Sequence, residues 1–180
     1  MFGRRTLSSF ALALLAAAPA AMAQQHDHAA ARPTIAWNAA TKTATYALIA
    51  GAPGAKSPFN FNGYVDGELT VVVPVGATVV MNFVNEDGVP HSAAVIEDKD
   101  PMPTEAPNAA IPRAYTIKAV EGMNQGEKDV MRFKTDVAGR YRIFCGVPGH
   151  GLSGMWIRLR VDATATEPRL ETAPAAKSGQ

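Results

Sequence analysis

Cys145, His150 and Met155 stand at five-residue intervals in Phe144-Cys145-Gly146-Val147-Pro148-Gly149-His150-Gly151-Leu152-Ser153-Gly154-Met155-Trp156, and apolar residues alternate on both sides of that stretch. Before it, Tyr141 and Ile143 share the parity of Cys145. After it, Ile157, Leu159 and Val161 share the parity of Met155, while Arg158 and Arg160 fall with Trp156. Alternate side chains of a strand face the same side. Cys145 and Met155 are therefore expected on the packed face of two adjacent strands, at the ends that one glycine-rich loop joins. A thiolate, an imidazole and a thioether gathered on one loop suit a soft metal ion.

The chain holds four histidines and one cysteine, which leaves few ways to complete such a site. His26 and His28 lie in Gln24-Gln25-His26-Asp27-His28, directly after an apolar leader, and are read as part of a solvated polar tail. His91 and His150 are then the histidines inside the folded part. Two imidazoles, a thiolate and a weak axial methionine make up the donor set of blue electron-transfer copper. Each residue alone has an ordinary reading: a loop histidine after Pro90, a core methionine, a small buried thiol. Their joint occurrence at this spacing and strand parity favours the metal.

Arg4 and Arg5, the apolar run from Phe10 to Ala18 and the small-residue pattern Ala21-Met22-Ala23 read as a cleaved secretory signal over residues 1–23. The run is short against the roughly 20 residues of a spanning helix, so no stable membrane insertion is expected and the mature protein is placed in the periplasm. Removing the signal takes away two basic side chains and no acidic one, turning 17 against 16 into 15 against 16. A nearly neutral chain of this kind does not attract nucleic acid. A lone cysteine in an exported protein cannot form an internal disulfide, and ligation would protect it from oxidation.

Short runs rich in β-branched and aromatic residues, bounded by Gly, Pro, Asn and Asp, give an all-β pattern. Strands are expected near Thr43 to Ile49, Glu68 to Val73, Thr78 to Val84, Ser92 to Ile96, Ala114 to Lys118, Asp129 to Lys134, Gly139 to Phe144 and Met155 to Val161. In the third run Val79, Met81 and Phe83 should face inward. The stretch from Glu97 to Asn124 is read as a long excursion carrying Ala114 to Lys118 as an extra strand. The expected layout is a flexible segment at 24–33, one domain at 34–162 and a disordered tail at 163–180, where apolar surface is scarce.

The spacing of Cys145, His150 and Met155, the upstream Pro90-His91-Ser92, and Phe59-Asn60-Phe61-Asn62-Gly63-Tyr64 followed by Leu69-Thr70-Val71 together resemble the cupredoxins. Within that group the chain is most similar to the sulfocyanins, with rusticyanin as a related family, and the resemblance runs from Phe59 to Val161. It implies a Greek-key β-sandwich of two antiparallel sheets with a long excursion before the copper-loop strands. It also implies one copper ion held by His91, Cys145 and His150, with Met155 as a long axial ligand. Ser92 would tie the strand of His91 to the cysteine loop, and Phe61, Phe144 and Trp156 are candidates for an apolar wall.

A monomeric single-electron shuttle fits these features, with redox partners such as cytochromes or a terminal oxidase. A periplasmic protein for copper storage or delivery is the alternative. A multicopper oxidase or nitrite reductase would need further histidines, and a two-copper centre a second cysteine, so the chain is not read as an enzyme.

Overall fold

A computed structural model describes residues 33–173. The expected signal at 1–23 and nearly all of the segment 24–33 lie outside the described residues. Nine strands are present: β1 (Ile35–Asn38), β2 (Thr43–Ala50), β3 (Leu69–Pro74), β4 (Thr78–Asn85), β5 (Ala94–Glu97), β6 (Lys128–Lys134), β7 (Gly139–Phe144), β8 (Trp156–Asp162) and β9 (Arg169–Thr172). Among the described residues there is no helix, and so none long and apolar enough to cross a membrane. One sheet has the order β1-β2-β4-β6 and the other β5-β7-β8-β3-β9.

Alternation settles which faces meet. Val79, Met81 and Phe83 of β4 are buried, as are Ile157, Leu159 and Val161 of β8, and all six belong to one cluster with Tyr46, Leu48, Phe61, Met131 and Phe133. Removing apolar surface of this size from water stabilises the sandwich by about 1.5–3 kcal/mol per large side chain. Polar positions such as Asn82 and Arg132 stay exposed.

The sheets are mixed, which corrects the expectation of two antiparallel ones. β2 runs parallel to β4, with Tyr46 opposite Met81, and β3 runs parallel to β8, with Val71 opposite Leu159. The other pairings are antiparallel. The chain passes from β2 in the first sheet to β3 in the second and back to β4. A strand that returns after such a crossing can enter from the same end as its neighbour and run parallel to it. Period-two alternation is blind to strand direction.

Two further expectations are corrected. The proposed strand at Ala114 to Lys118 is reduced to an isolated bridge between Ala94 and Tyr115. Thr116 still donates its amide to the Ala93 carbonyl at 2.8 Å, but the Ile117 amide turns to the Asp129 carboxylate at 2.9 Å. In the segment read as a disordered tail, residues 169–172 form β9 on the edge of β3, with Leu170 opposite Val71. Leu170 packs against the main core, and Arg160 donates to the Glu171 carboxylate at 2.7 Å, so one apolar residue and an ion-pair network anchor the strand. Residues 174–180 lie outside the described residues.

Hydrogen bonding to Arg160 holds the Glu171 carboxyl below its ordinary value, and the Thr164 amide and hydroxyl do the same for Asp162. Depressed carboxyl values contribute stability above the ordinary range and lose it as the pH falls through the folded value. Glu171→Gln should therefore melt below the unmodified protein at neutral pH, and the gap should narrow at a pH below the ordinary carboxylate value of about 4.3. Thermal scans at both pH values check this.

Candidate metal centre

β7 ends at Phe144 and β8 begins at Trp156, and those two residues are register partners. The pairing continues one step further, where the Cys145 amide donates to the Met155 carbonyl at 3.0 Å. The ten-residue interval between the two is thus closed at its base. Inside it the Met155 amide donates to the His150 carbonyl at 3.1 Å, and the Ser153 amide to the Gly149 carbonyl at 3.0 Å. Two glycines are dictated by close approach. A Cβ on Gly151 would stand 1.8 Å from the Phe144 ring, and one on Gly146 would stand 2.3 Å from the Ala119 carbonyl oxygen.

His91 arrives from the connection between β4 and β5. Its backbone exchanges two hydrogen bonds with Met123, at 3.1 and 2.7 Å. Asn85 staples the same connection: its side-chain amide donates to the Val89 and Met123 carbonyls, both at 2.8 Å, and its oxygen accepts the Asp87 amide at 2.9 Å. Ser92 then ties this segment to the cysteine loop. Its hydroxyl accepts the Gly146 amide at 2.9 Å and donates to the Ala119 carbonyl at 2.7 Å, while its own amide points at the Cys145 sulfur at 3.4 Å.

Three donor atoms converge as a result. His91 Nδ1 lies 3.2 Å from His150 Nδ1, which lies 3.6 Å from Cys145 Sγ, and all three donors fall within 4.8 Å of one another. His91, Cys145 and Met155 are fully buried and His150 is half-buried. Met155 belongs to the same core cluster as Cys145. The Phe59 ring lies against the histidines, its centroid 4.6 Å from that of His150 and 6.3 Å from that of His91.

Burial pushes both imidazoles below the usual histidine value, with Asp87 partly opposing this at His91 and the neighbouring His91 adding to it at His150. Burial also raises the Cys145 thiol, against the opposing pull of the Ser92 and Val147 amides. His91 Nε2 faces the Asp87 carboxylate at 3.2 Å, which assigns the ring proton to Nε2 and leaves Nδ1 as a lone pair aimed inward. Two neutral imidazoles and a desolvated thiol whose donor atoms face one another fit a soft cation, which would supply the charge that a buried thiolate otherwise lacks.

Residues 30–171 match the family of the sulfocyanin (SoxE) domain. This chain belongs to the sulfocyanin family. That span takes in β1, the site and all but the last residue of β9. Sulfocyanin of Sulfolobus acidocaldarius is 27% identical over 139 residues, covering 73% of this chain and 70% of the relative. Among solved structures, reduced rusticyanin superposes with a TM-score of 0.53 at 22% identity, over 74% of this chain and 91% of its own. Auracyanin B gives 0.51 at 25% identity, over 72% and 96%. The chain is thus a cupredoxin most like sulfocyanin, and its cofactor is one copper ion, for which the convergent His91, Cys145 and His150 form a possible site.

Of the side chains singled out for an apolar wall, Phe61 lies in the main core. Phe144 packs in a second cluster with Ala94 and Ile96, on the other side of its strand. Trp156 sits between the guanidinium groups of Arg142 and Arg158, 4.8 and 5.1 Å from its ring, and so faces outward. Phe59, Asn85 and Asp87 were not singled out as individual residues by sequence reasoning. Phe59 opens the segment that resembles the sulfocyanins; Asn85 and Asp87 carry no local signal.

Ser92→Ala would leave the Gly146 amide and the Ala119 carbonyl without their buried partner. A loss of about 1–3 kcal/mol in the metal-free protein is expected, read from denaturant midpoints.

Proposed function

We propose that the chain is an exported, monomeric single-electron shuttle in which His91, Cys145 and His150 hold copper in a trigonal set and Met155 caps it as a long axial donor. The convergence of two imidazole nitrogens and one thiol sulfur at a buried point carries this reading. Copper bound there supplies one-electron chemistry by cycling between Cu(I) and Cu(II), and a compromise donor set suits both states.

The protein's part is to hold the donors still and keep water away. Ser92 and the base-closing bond between Cys145 and Met155 fix the sulfur; the Met123 bridge fixes His91. Such bracing keeps donor positions alike in both oxidation states, which speeds electron transfer. His150 is the half-buried ligand, and Pro148 and Leu152 of its loop are exposed, so an incoming partner meets the site along that edge. Cytochromes or a terminal oxidase are suitable partners. The leader at 1–23 supports export to the periplasm. An enzymatic role would call for a second copper centre, and the only histidines beyond His91 and His150 are His26 and His28 in the N-terminal segment.

Loading with copper(II) and recording the visible spectrum tests the assignment. An intense thiolate-to-copper band that bleaches when a reduced cytochrome is added supports a shuttle. Copper release to a chelating partner without reversible bleaching would instead favour storage or delivery.

Cys145→Ser should abolish the visible band, because the charge transfer starts on the thiolate; a retained band would sink the site. Met155→Leu should keep the colour and raise the reduction potential, while Met155→Gln should lower it, as spectroelectrochemical titration would show. Loss of copper in Met155→Leu would place the axial role elsewhere.

A further inference from the structure

Asp87 lies outside the donor set, yet its Oδ2 is 3.2 Å from His91 Nε2, the ring nitrogen opposite the one that faces Cys145 and His150. This is the carboxylate's one side-chain hydrogen bond among the described residues, so the group does not serve to cap its own turn. Its position is fixed from three sides. The Asp87 amide donates to Asn85 Oδ1 at 2.9 Å, the Glu86 amide donates to the Ala50 carbonyl at 2.9 Å, and Gly51 leaves room where a Cβ would stand 2.3 Å from Asp87 Cβ. The His91 side chain is 0% exposed and that of Asp87 23%, so the pair is sheltered from solvent screening. Among the described residues His150 has no carboxylate within ion-pair distance, and its ring lies against Phe59 instead.

The two imidazoles are therefore unequal. We propose that Asp87 is a positioning residue that locks His91 with its Nδ1 lone pair inward and, as a fixed negative charge behind that ligand, sets the reduction potential. A carboxylate accepting the outer N–H of a ligating imidazole fixes the tautomer and makes the ring a stronger donor. Both that effect and the direct Coulomb attraction favour the more highly charged copper(II) state. Asp87 thus lowers the potential that the buried, apolar surroundings otherwise raise. The inference rests on the copper site proposed above.

Asp87→Asn keeps the shape and an oxygen acceptor while removing the charge. It is expected to retain the blue band and to weaken the preference for copper(II) over copper(I) about tenfold, a rise of about 59 mV for a one-electron couple. Asp87→Ala should show the same rise and faster loss of copper(II) to a chelator, since the ring is also freed. A potential unchanged in Asp87→Asn would overturn the proposal. Should that variant fail to take up copper, the unmodified copper(I) protein, labelled with nitrogen-15 on histidine, decides. A slowly exchanging, downfield His91 Nε2 proton supports the bond, and free exchange with water overturns it. A protein without any visible band would instead sink the copper site; an intact band with an indifferent potential sinks only the role of Asp87.

Discussion

The Cys145 sulfur sits where the ends of two segments, far apart in sequence, are tied by one hydroxyl. Ser92 accepts the Gly146 amide, donates to the Ala119 carbonyl and turns its own amide toward the sulfur. That tie extends the pairing of β5 with β7, in which Ala94 stands opposite Phe144, to the approach of His91 and the cysteine loop. A buried thiol is driven toward its neutral form by desolvation, so its surroundings must supply donors and, on binding, a cation. The amides of Ser92 and Val147 provide the first part, and the facing imidazole nitrogens gather the second.

The long connection between β5 and β6 braces the loop from outside. The Ala106 amide bonds to the Gly146 carbonyl at 3.0 Å, and the Gly149 amide to the Thr104 carbonyl at 2.8 Å. Met123, near the end of the same connection, bridges to His91. An otherwise unstructured stretch thus becomes scaffold for three sides of the site. On the other face of the second sheet, Arg140 lies opposite Arg160 and Arg142 opposite Arg158. Like charges directly opposed are unfavourable. Here Asp98 and Asp100 pair with Arg142, Glu171 pairs with Arg160, and Arg158 stacks on Trp156.

The two imidazoles of the convergent cluster are held differently. His91 is buried, backed by a carboxylate and bridged through its backbone, whereas His150 is half-buried and rests on an aromatic ring. One imidazole is braced on several sides and the other is left partly open to solvent. That division follows from where each residue sits: His91 between two strands in the interior, His150 on a loop at the rim.

Whatever depends on neighbours a few residues away is legible in the chain's order of residues. The spacing of Cys145, His150 and Met155, the inward parity of Cys145 and Ile143, the packed face of β4 and seven of the nine strands are read from the sequence through local alternation and glycine placement. The bond from Ser92 to the cysteine loop was legible through the resemblance to known families. What depends on distant partners emerges only in the folded chain. Strand direction is invisible to a period of two, so the parallel pairings of β2 with β4 and β3 with β8 emerge only when the chain crosses between sheets. β9 has too little apolar surface to be seen as a strand until β3 offers an unpaired edge, and Ala114 to Lys118 reads as a strand until Asp129 claims the Ile117 amide. Asp87 and Phe59 reach the histidines through folding of the connections that carry them. A carboxylate four residues before His91 acquires meaning only once Asn85 and Gly51 have aimed it at the ring.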